Sequence, residues 1–232
     1  SRGLGDVYKR QADFRLVSFS GGGKENAIPK EAKAVVSVRS CDATTFEQSI
    51  KESAAVWMQE ISATEPHAKI ELEKTVIAAD KVLNSHSTAN VIYALWLSPD
   101  GVYKMSQEIK GMVQTSLNLG TAYLDADKLV YKYLIRSNTA AGKKLLLERV
   151  TTFVKHLSGK VVTMSDYPAW EYKSDSQLRK ICVDSFTNVY GHEPEVTSIH
   201  AGLECGILAG KMSGVDMISF GPTLESVHTP DE

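Results

Sequence analysis

The sequence predicts a mixed α+β or α/β fold, with strands paired into sheets and amphipathic helices packed on them. Three observations carry that reading. Short β-branched or alternating stretches recur along the chain, as in AVVSVR at residues 34–39. Longer stretches between them repeat their apolar residues at helical spacing, and two strand-like runs at 115–124 and 128–136 are separated by only a short polar turn. A chain that alternates between the two periods in this way is neither all-α nor all-β.

Taken in order, Phe14 to Ser20 alternates as a strand, and Gly21-Gly22-Gly23 breaks it. Ala34 to Arg39 is the next strand. Thr44 or Thr45 is placed to cap a helix, with Glu47 or Gln48 near the capping-box position, and Phe46, Ile50, Trp57 and Ile61 share one face. Lys69 to Ile77 alternates as a strand. Asp80 to Leu97 reads as a helix with Val82, Leu83, Val91, Ile92, Leu95 and Trp96 on its apolar side, ended by the turn Pro99-Asp100-Gly101. Thr115 to Leu124 and Lys128 to Arg136 form two strands about Asp125-Ala126-Asp127. Ala140 to Leu157 is a strong helix, carrying Leu146, Val150, Phe153, Val154 and Leu157 and stopped by Ser158-Gly159. Lys160 to Met164 reads as a strand, Ser174 to Tyr190 as a helix stopped at Gly191, Val196 to Ile199 as a strand, Leu203 to Met212 as a short helix and Val215 to Phe220 as a last strand. DYPAWEY at 166–172 has no period and reads as a crossing between two domains.

The 232 residues suit one large domain or two small ones, and 43% hydrophobic with 23% charged residues is ordinary globular composition. Lys and Arg number 26 against 28 Asp and Glu, so no basic excess favours nucleic acid. No apolar run reaches the roughly 20 residues of a membrane-crossing helix. The three cysteines, Cys41, Cys182 and Cys205, form no CxxC pair and read as reduced, small buried side chains of a cytoplasmic protein. The opening SRGLGDVYKRQ lacks the apolar core of a signal peptide. Within it, DVYKRQ is the in-frame translation of a transposase end used to tag sequencing libraries, so residues 1–11 are read as a scar.

Several stretches are candidates for chemistry. GGGKENAIP at 21–29 joins a permissive backbone to the amide of Asn26, although a solvated hairpin loop has the same composition. TSLNLG at 115–120 places Asn118 either at a site or on the solvent face of a strand. IHAGLECG at 199–206 turns from strand to helix, where N–H donors converge, and Glu204 there either meets a ligand or complements the helix dipole. Arg136 closes a strand as an edge cation or an anion grip. His228, in SVHTPDE, stands in no HxH, HExxH or CxxC spacing, so these residues alone argue no metal site.

In order, GGGKENAIP, VQTSLNLG, IRS, DYPAWEY, IHAGLECG and SFGPTLESVHTPDE resemble the aminoacyl-histidine dipeptidases, of the di-zinc peptidase superfamily. The resemblance runs from about Asp13 to Glu232. It implies a catalytic α/β domain holding two zinc ions and an inserted α+β lid that closes over substrate and often forms homodimers. Residues 12–170 would be lid and 171–232 the returning C-terminal part of the catalytic domain. The HxD pair, bridging aspartate, paired glutamates and GGHSG segment of the family do not occur in this sequence. The implied reaction is hydrolysis of Xaa-His dipeptides by a metal-activated water, with its general base among the residues not present here, so no catalytic residue is assigned.

By the same resemblance His228 is a zinc ligand. Asn26 and Asn118 orient the substrate carbonyl or carboxylate, Arg136 grips the terminal carboxylate with its planar fork, and Glu204 meets the free amino group. A non-catalytic substrate-binding or dimerisation module is the alternative. HAGLECG argues against a tripeptidase or carboxypeptidase of the same superfamily.

Overall fold

The computed structural model describes residues 13–75, 81–126, 128–197, 204–212 and 214–221. Five strands and five helices fall among them, in an α+β arrangement. The strands are β1 (Phe14–Gly21), β2 (Ala32–Val38), β3 (Gly101–Met105), β4 (Val113–Asp125) and β5 (Lys128–Ser137). The helices are α1 (Ala43–Ile61), α2 (Ser85–Leu97), α3 (Ala140–His156), α4 (Gln177–Tyr190) and α5 (Glu204–Lys211). The sheet runs β2-β1-β4-β3, and β5 also pairs with β4. Only two residues separate β4 from β5, too few for a parallel crossover, so these two form an antiparallel hairpin.

The described residues gather into two units. One holds those up to Gly101 with Leu117–Leu134 and Arg149–Lys160; the other holds Val102–Ser116, Ile135–Glu148 and those from Val161 on.

In the first unit β1 pairs antiparallel with β2, with a register shift between Leu16 and Ser18. Its core is Phe14, Phe46 and Ile92, with Val36, Val38 and Ile50 packed around them. The rings of Phe14 and Phe46 meet at 5.3 Å and 54°, a tilted geometry that suits the ring quadrupoles. Thr88 Oγ1, fully buried on α2, accepts from Leu16 N at 3.1 Å. The Leu16 carbonyl accepts from Leu83 N at 2.9 Å. That bond corrects the expected start of α2: residues 81–84 are drawn to β1 rather than coiled. Asn84 then caps the helix, its Oδ1 accepting from Ser87 N at 2.8 Å.

Other boundaries shift for equally local reasons. α1 is already helical at Ala43, so Thr44 and Thr45 lie in its first turn and form no cap. Glu47 instead pairs with Lys51 at 2.6 Å, and Gln48 bonds Glu52 at 3.0 Å, both at the i,i+4 spacing of helix neighbours. Asp42, at the N-cap position, takes Arg39 Nε at 3.1 Å rather than a helix N–H. Cys41 is exposed in this turn, and Cys182 and Cys205 are half-buried, so none of the three is the buried filler expected. α3 ends as expected, but with Ser158 rather than Gly159 in the left-handed conformation, φ 58°. Gly159 N donates to Val154 O at 2.8 Å and Ser158 N to Lys155 O at 2.9 Å, the paired bonds of a Schellman stop.

Three expected strands are absent from the described residues. Residues 69–75, 160–164 and 215–220 adopt no regular element. Lys69 Nζ reaches Glu71, two positions on, at 2.8 Å. A strand also needs a ladder, and none forms here; Val162, Met164 and Phe220 remain more than 80% or about 80% exposed. Residues 196–197 are likewise irregular. Asp127, residues 76–80, residues 198–203 and Ser213 lie outside the described residues, as do residues 1–12 and 222–232. β3 was not expected, because VYKM is short and carries no clear alternation.

In the second unit α4 begins at Gln177, not Ser174. Ser176 Oγ accepts from Arg179 N at 3.0 Å, and the Asp216 carboxylate accepts from Leu178 N at 2.9 Å. Gly191, φ 76°, closes the helix with its N–H on Thr187 O. The aromatic stretch 166–172 is tied to the first turns of α3. Lys143 Nζ donates to Asp166 Oδ1 at 2.7 Å and to Tyr167 O at 2.6 Å, and Ala140 N donates to Glu171 Oε1 at 3.1 Å.

Two outcomes follow. Leu146 is 1% exposed and Leu145 65%. In urea denaturation Leu146→Ala should cost about 2–5 kcal/mol, and Leu145→Ala within about 0.5 kcal/mol. The Leu178 N–H holds the Asp216 carboxyl below its ordinary range, with Ser176 adding to the effect. A carboxyl depressed by folding stabilises the fold above its unfolded value and loses that contribution as pH falls through the folded one. Asp216→Asn should therefore narrow the difference in Tm between pH 6 and pH 3; an unchanged gap would show the bond contributes nothing.

Candidate functional site

In the first unit the chain leaves β1 at Gly21 and returns as β2 at Ala32, and the intervening loop carries GGKENAIP. The loop folds back on itself. Gly22 N donates to Glu31 O at 3.0 Å, and Ala27 N donates to Lys24 O at 3.3 Å. Gly22 takes φ 70°, a conformation costly for any residue with a Cβ.

The loop lies against the middle of β4. A Cβ on Gly22 would overlap the Gly120 carbonyl, and a Cβ on Gly120 would overlap Glu25 Cα and the Lys24 carbonyl, all inside the 3.0 Å that real Cβ atoms keep. Two glycines 98 positions apart thus allow backbone to approach backbone without side chains between them. The burial pattern along β4 changes at this point. Thr115 and Leu117 are buried, then Gly120 and Ala122, so the covered positions switch from odd to even across Asn118–Leu119. Leu119 N does not depend on the ladder; it donates to the Asp100 carboxylate at 2.7 Å.

Asn118 fixes the contact. Its Nδ2 donates to Glu25 O at 2.8 Å and to Ala27 O at 2.9 Å, one carbonyl on each side of Asn26. Asn26 itself is exposed at the loop. Two of the residues singled out from the sequence are therefore brought together, while Gly22, Gly120 and Asp100 were missed as parts of the same arrangement. A glycine in the interior of a strand was the available signal for Gly120.

Arg136 and Glu204 belong to the second unit. Arg136 is half-buried near the end of β5, in polar or electrostatic contact with its surroundings. Beside it in sequence, Ser137 Oγ bonds Thr115 Oγ1 at 2.9 Å. Glu204 is exposed as the first residue of α5 and its only first-turn acid, as the helix dipole favours. α5 is seated by two glycines, since a Cβ on Gly206 would press on Pro168 O at 3.0 Å and one on Gly210 would strike the Pro168 ring at 2.6 Å. Cys205 Sγ lies 3.9 Å from Ile218 O. His228, with His200 and Gly202, lies outside the described residues. No group of three or more His, Cys, Asp or Glu side chains able to hold a metal occurs among the described residues, which therefore do not by themselves fit a di-zinc centre. No helix among them is long and apolar enough to cross a membrane.

The loop contact predicts a contrast between neighbouring glycines. Gly23 faces open space, so Gly23→Ala should change stability by no more than about 0.5 kcal/mol. Gly120→Ala should cost about 1–3 kcal/mol and, by freeing the loop from β4, speed tryptic cleavage after Lys24. Equal effects of the two would mean the loop does not rest on β4.

No family model matches the chain. It is 30% identical over 226 residues to the cytosol non-specific dipeptidase of Escherichia coli K12, covering 97% of this chain and 46% of that protein. Its structure resembles the crystal structure of aminoacylhistidine dipeptidase from Vibrio alginolyticus with a TM-score of 0.87 and 31% identity, over 99% of this chain and 47% of that one. The chain thus spans about half the length of the proteins it matches. In sequence and in fold the chain is similar to these two dipeptidases over nearly all of its own residues.

Proposed function

We propose that the chain contributes to a metal-dependent dipeptidase acting on small dipeptides of Xaa-His type, and is a partial enzyme on its own. The observation that carries this is the co-linear likeness in fold, at a TM-score of 0.87. It extends over the loop bearing Asn26, the strand bearing Asn118 and the helix bearing Glu204. Residues 12–170 form the lid and 171–232 a returning part of the catalytic domain, with the homodimer formed through the lid. The enzyme works in the cytoplasm.

The roles divide by chemistry. Asn26 offers an exposed amide able to donate to a substrate carbonyl or carboxylate. Arg136 presents a permanently charged, planar fork suited to a terminal carboxylate, and its partly buried position strengthens such a pair. Glu204 supplies the opposite charge for a free amino group. His228 is a ligand to one of two zinc ions. The remaining metal ligands and the general base lie in sequence other than these 232 residues.

The test compares this chain with the same chain joined to the upstream reading frame of its source gene. The joined protein hydrolyses β-Ala-His, a chelator abolishes the activity, and zinc restores it. Arg136→Lys keeps the charge but loses the fork, and raises KM about tenfold or more. The 232 residues alone neither hydrolyse the dipeptide nor bind zinc tightly at stoichiometric level. Dipeptide binding without hydrolysis by the joined protein would overturn the enzymatic reading in favour of a binding module. Tight stoichiometric zinc binding by the chain alone would overturn its partial character.

A further inference from the structure

We infer that Asn118 is a positioning residue, whose side-chain amide holds the 22–31 loop so that Asn26 is presented in a single orientation. The inference rests on the substrate-facing role proposed for Asn26 and gives Asn118 a different task from the direct substrate contact that the family resemblance suggests.

Donor capacity limits what the Asn118 amide can hold. A side-chain amide nitrogen carries two hydrogens. Both acceptors recorded for Asn118 Nδ2 are loop carbonyls, Glu25 O at 2.8 Å and Ala27 O at 2.9 Å. Those two bonds use its full donor capacity, so Asn118 cannot also donate to a substrate oxygen without releasing the loop. The two carbonyls flank residue 26. Holding both fixes the peptide planes around Asn26, and the turn bond from Ala27 N to Lys24 O closes the same segment. Apart from these bonds and its backbone contact with Gly120, the loop is open, since residues 23–30 are exposed throughout and Gly23 has open space around it. A flexible loop would lose conformational freedom on each binding event; a loop already clamped to β4 has lost it in folding. The glycine contact between Gly22 and Gly120 brings the loop within reach, and Asn118 sets its orientation.

The test uses two variants that separate a hydrogen-bonding clamp from simple space filling. Asn118→Asp keeps the shape but removes both donors and sets a carboxylate against two carbonyl oxygens. Asn118→Ala removes the donors without repulsion. Amide hydrogen exchange is measured by NMR on the 232-residue chain. The clamp predicts that exchange at Ala27 N–H rises about tenfold or more in Asn118→Asp, less in Asn118→Ala, and that the β1–β2 ladder amides stay unchanged in both. Exchange unchanged in Asn118→Asp, or a larger effect in Asn118→Ala, overturns the clamp.

A second readout is dipeptide hydrolysis by the joined protein. There Asn118→Asp should raise KM and leave kcat nearly unchanged, and its effect should vanish in an Asn26→Ala background. A full effect persisting in that background overturns the positioning role. A parent protein without hydrolysis removes the proposed function instead, and the exchange result then decides the clamp alone.

Discussion

The close approach of a loop backbone to the middle of β4 is the constraint on which the candidate site depends. It exists because neither Gly22 nor Gly120 carries a Cβ. β4 pairs with β1, β3 and β5, so a strand shared by three neighbours also receives the loop. The strand accommodates this by a switch of buried face at Asn118–Leu119. At that switch the Leu119 backbone N–H goes to the Asp100 carboxylate, and the Asn118 side-chain amide reaches the loop. What would be a weak point in a strand becomes the place where a second segment is attached.

Much of the fold was legible because it is local. The alternation of Phe14–Ser20, the β-branched run after Ala34, the two-strand hairpin and the amphipathic helix from Ala140 all reappear within a few residues of their expected bounds. The misreadings have a common cause in partners that local pattern does not reveal. Residues 81–84 have helical periodicity, but Leu83 N finds the Leu16 carbonyl 67 residues earlier in sequence. Residues 69–75, 160–164 and 215–220 have strand composition, yet a strand exists only with a neighbour to pair with. The candidate site divides in the same way. Asn26 stood out in a glycine-rich loop whose composition equally suits a solvated hairpin. Asn118 stood out in the same way within TSLNLG, which equally suits a solvent-facing strand position, and its bonds to Glu25 and Ala27, across 93 and 91 residues, are invisible to local pattern.

The likeness to the dipeptidases is therefore not a matter of short motifs alone. It extends along nearly the whole chain and includes its three-dimensional arrangement, while covering about half of each relative. No cluster able to hold a metal occurs among the described residues, and the roles proposed for Asn26, Arg136 and Glu204 are ones of orientation. The lid role proposed for residues 12–170 calls for a shape set before substrate arrives and for no reactive group of its own.

The measurement that bears most directly on this account is the proton–proton contact between Gly120 and Glu25 in the isolated chain. With a Gly120 Cβ unable to fit beside Glu25 Cα, the α-protons of the two residues must be near neighbours in solution. The account predicts a strong nuclear Overhauser effect between Gly120 Hα and Glu25 Hα. Its absence, with the β1–β2 ladder contacts intact, would contradict the loop contact from which the site is built.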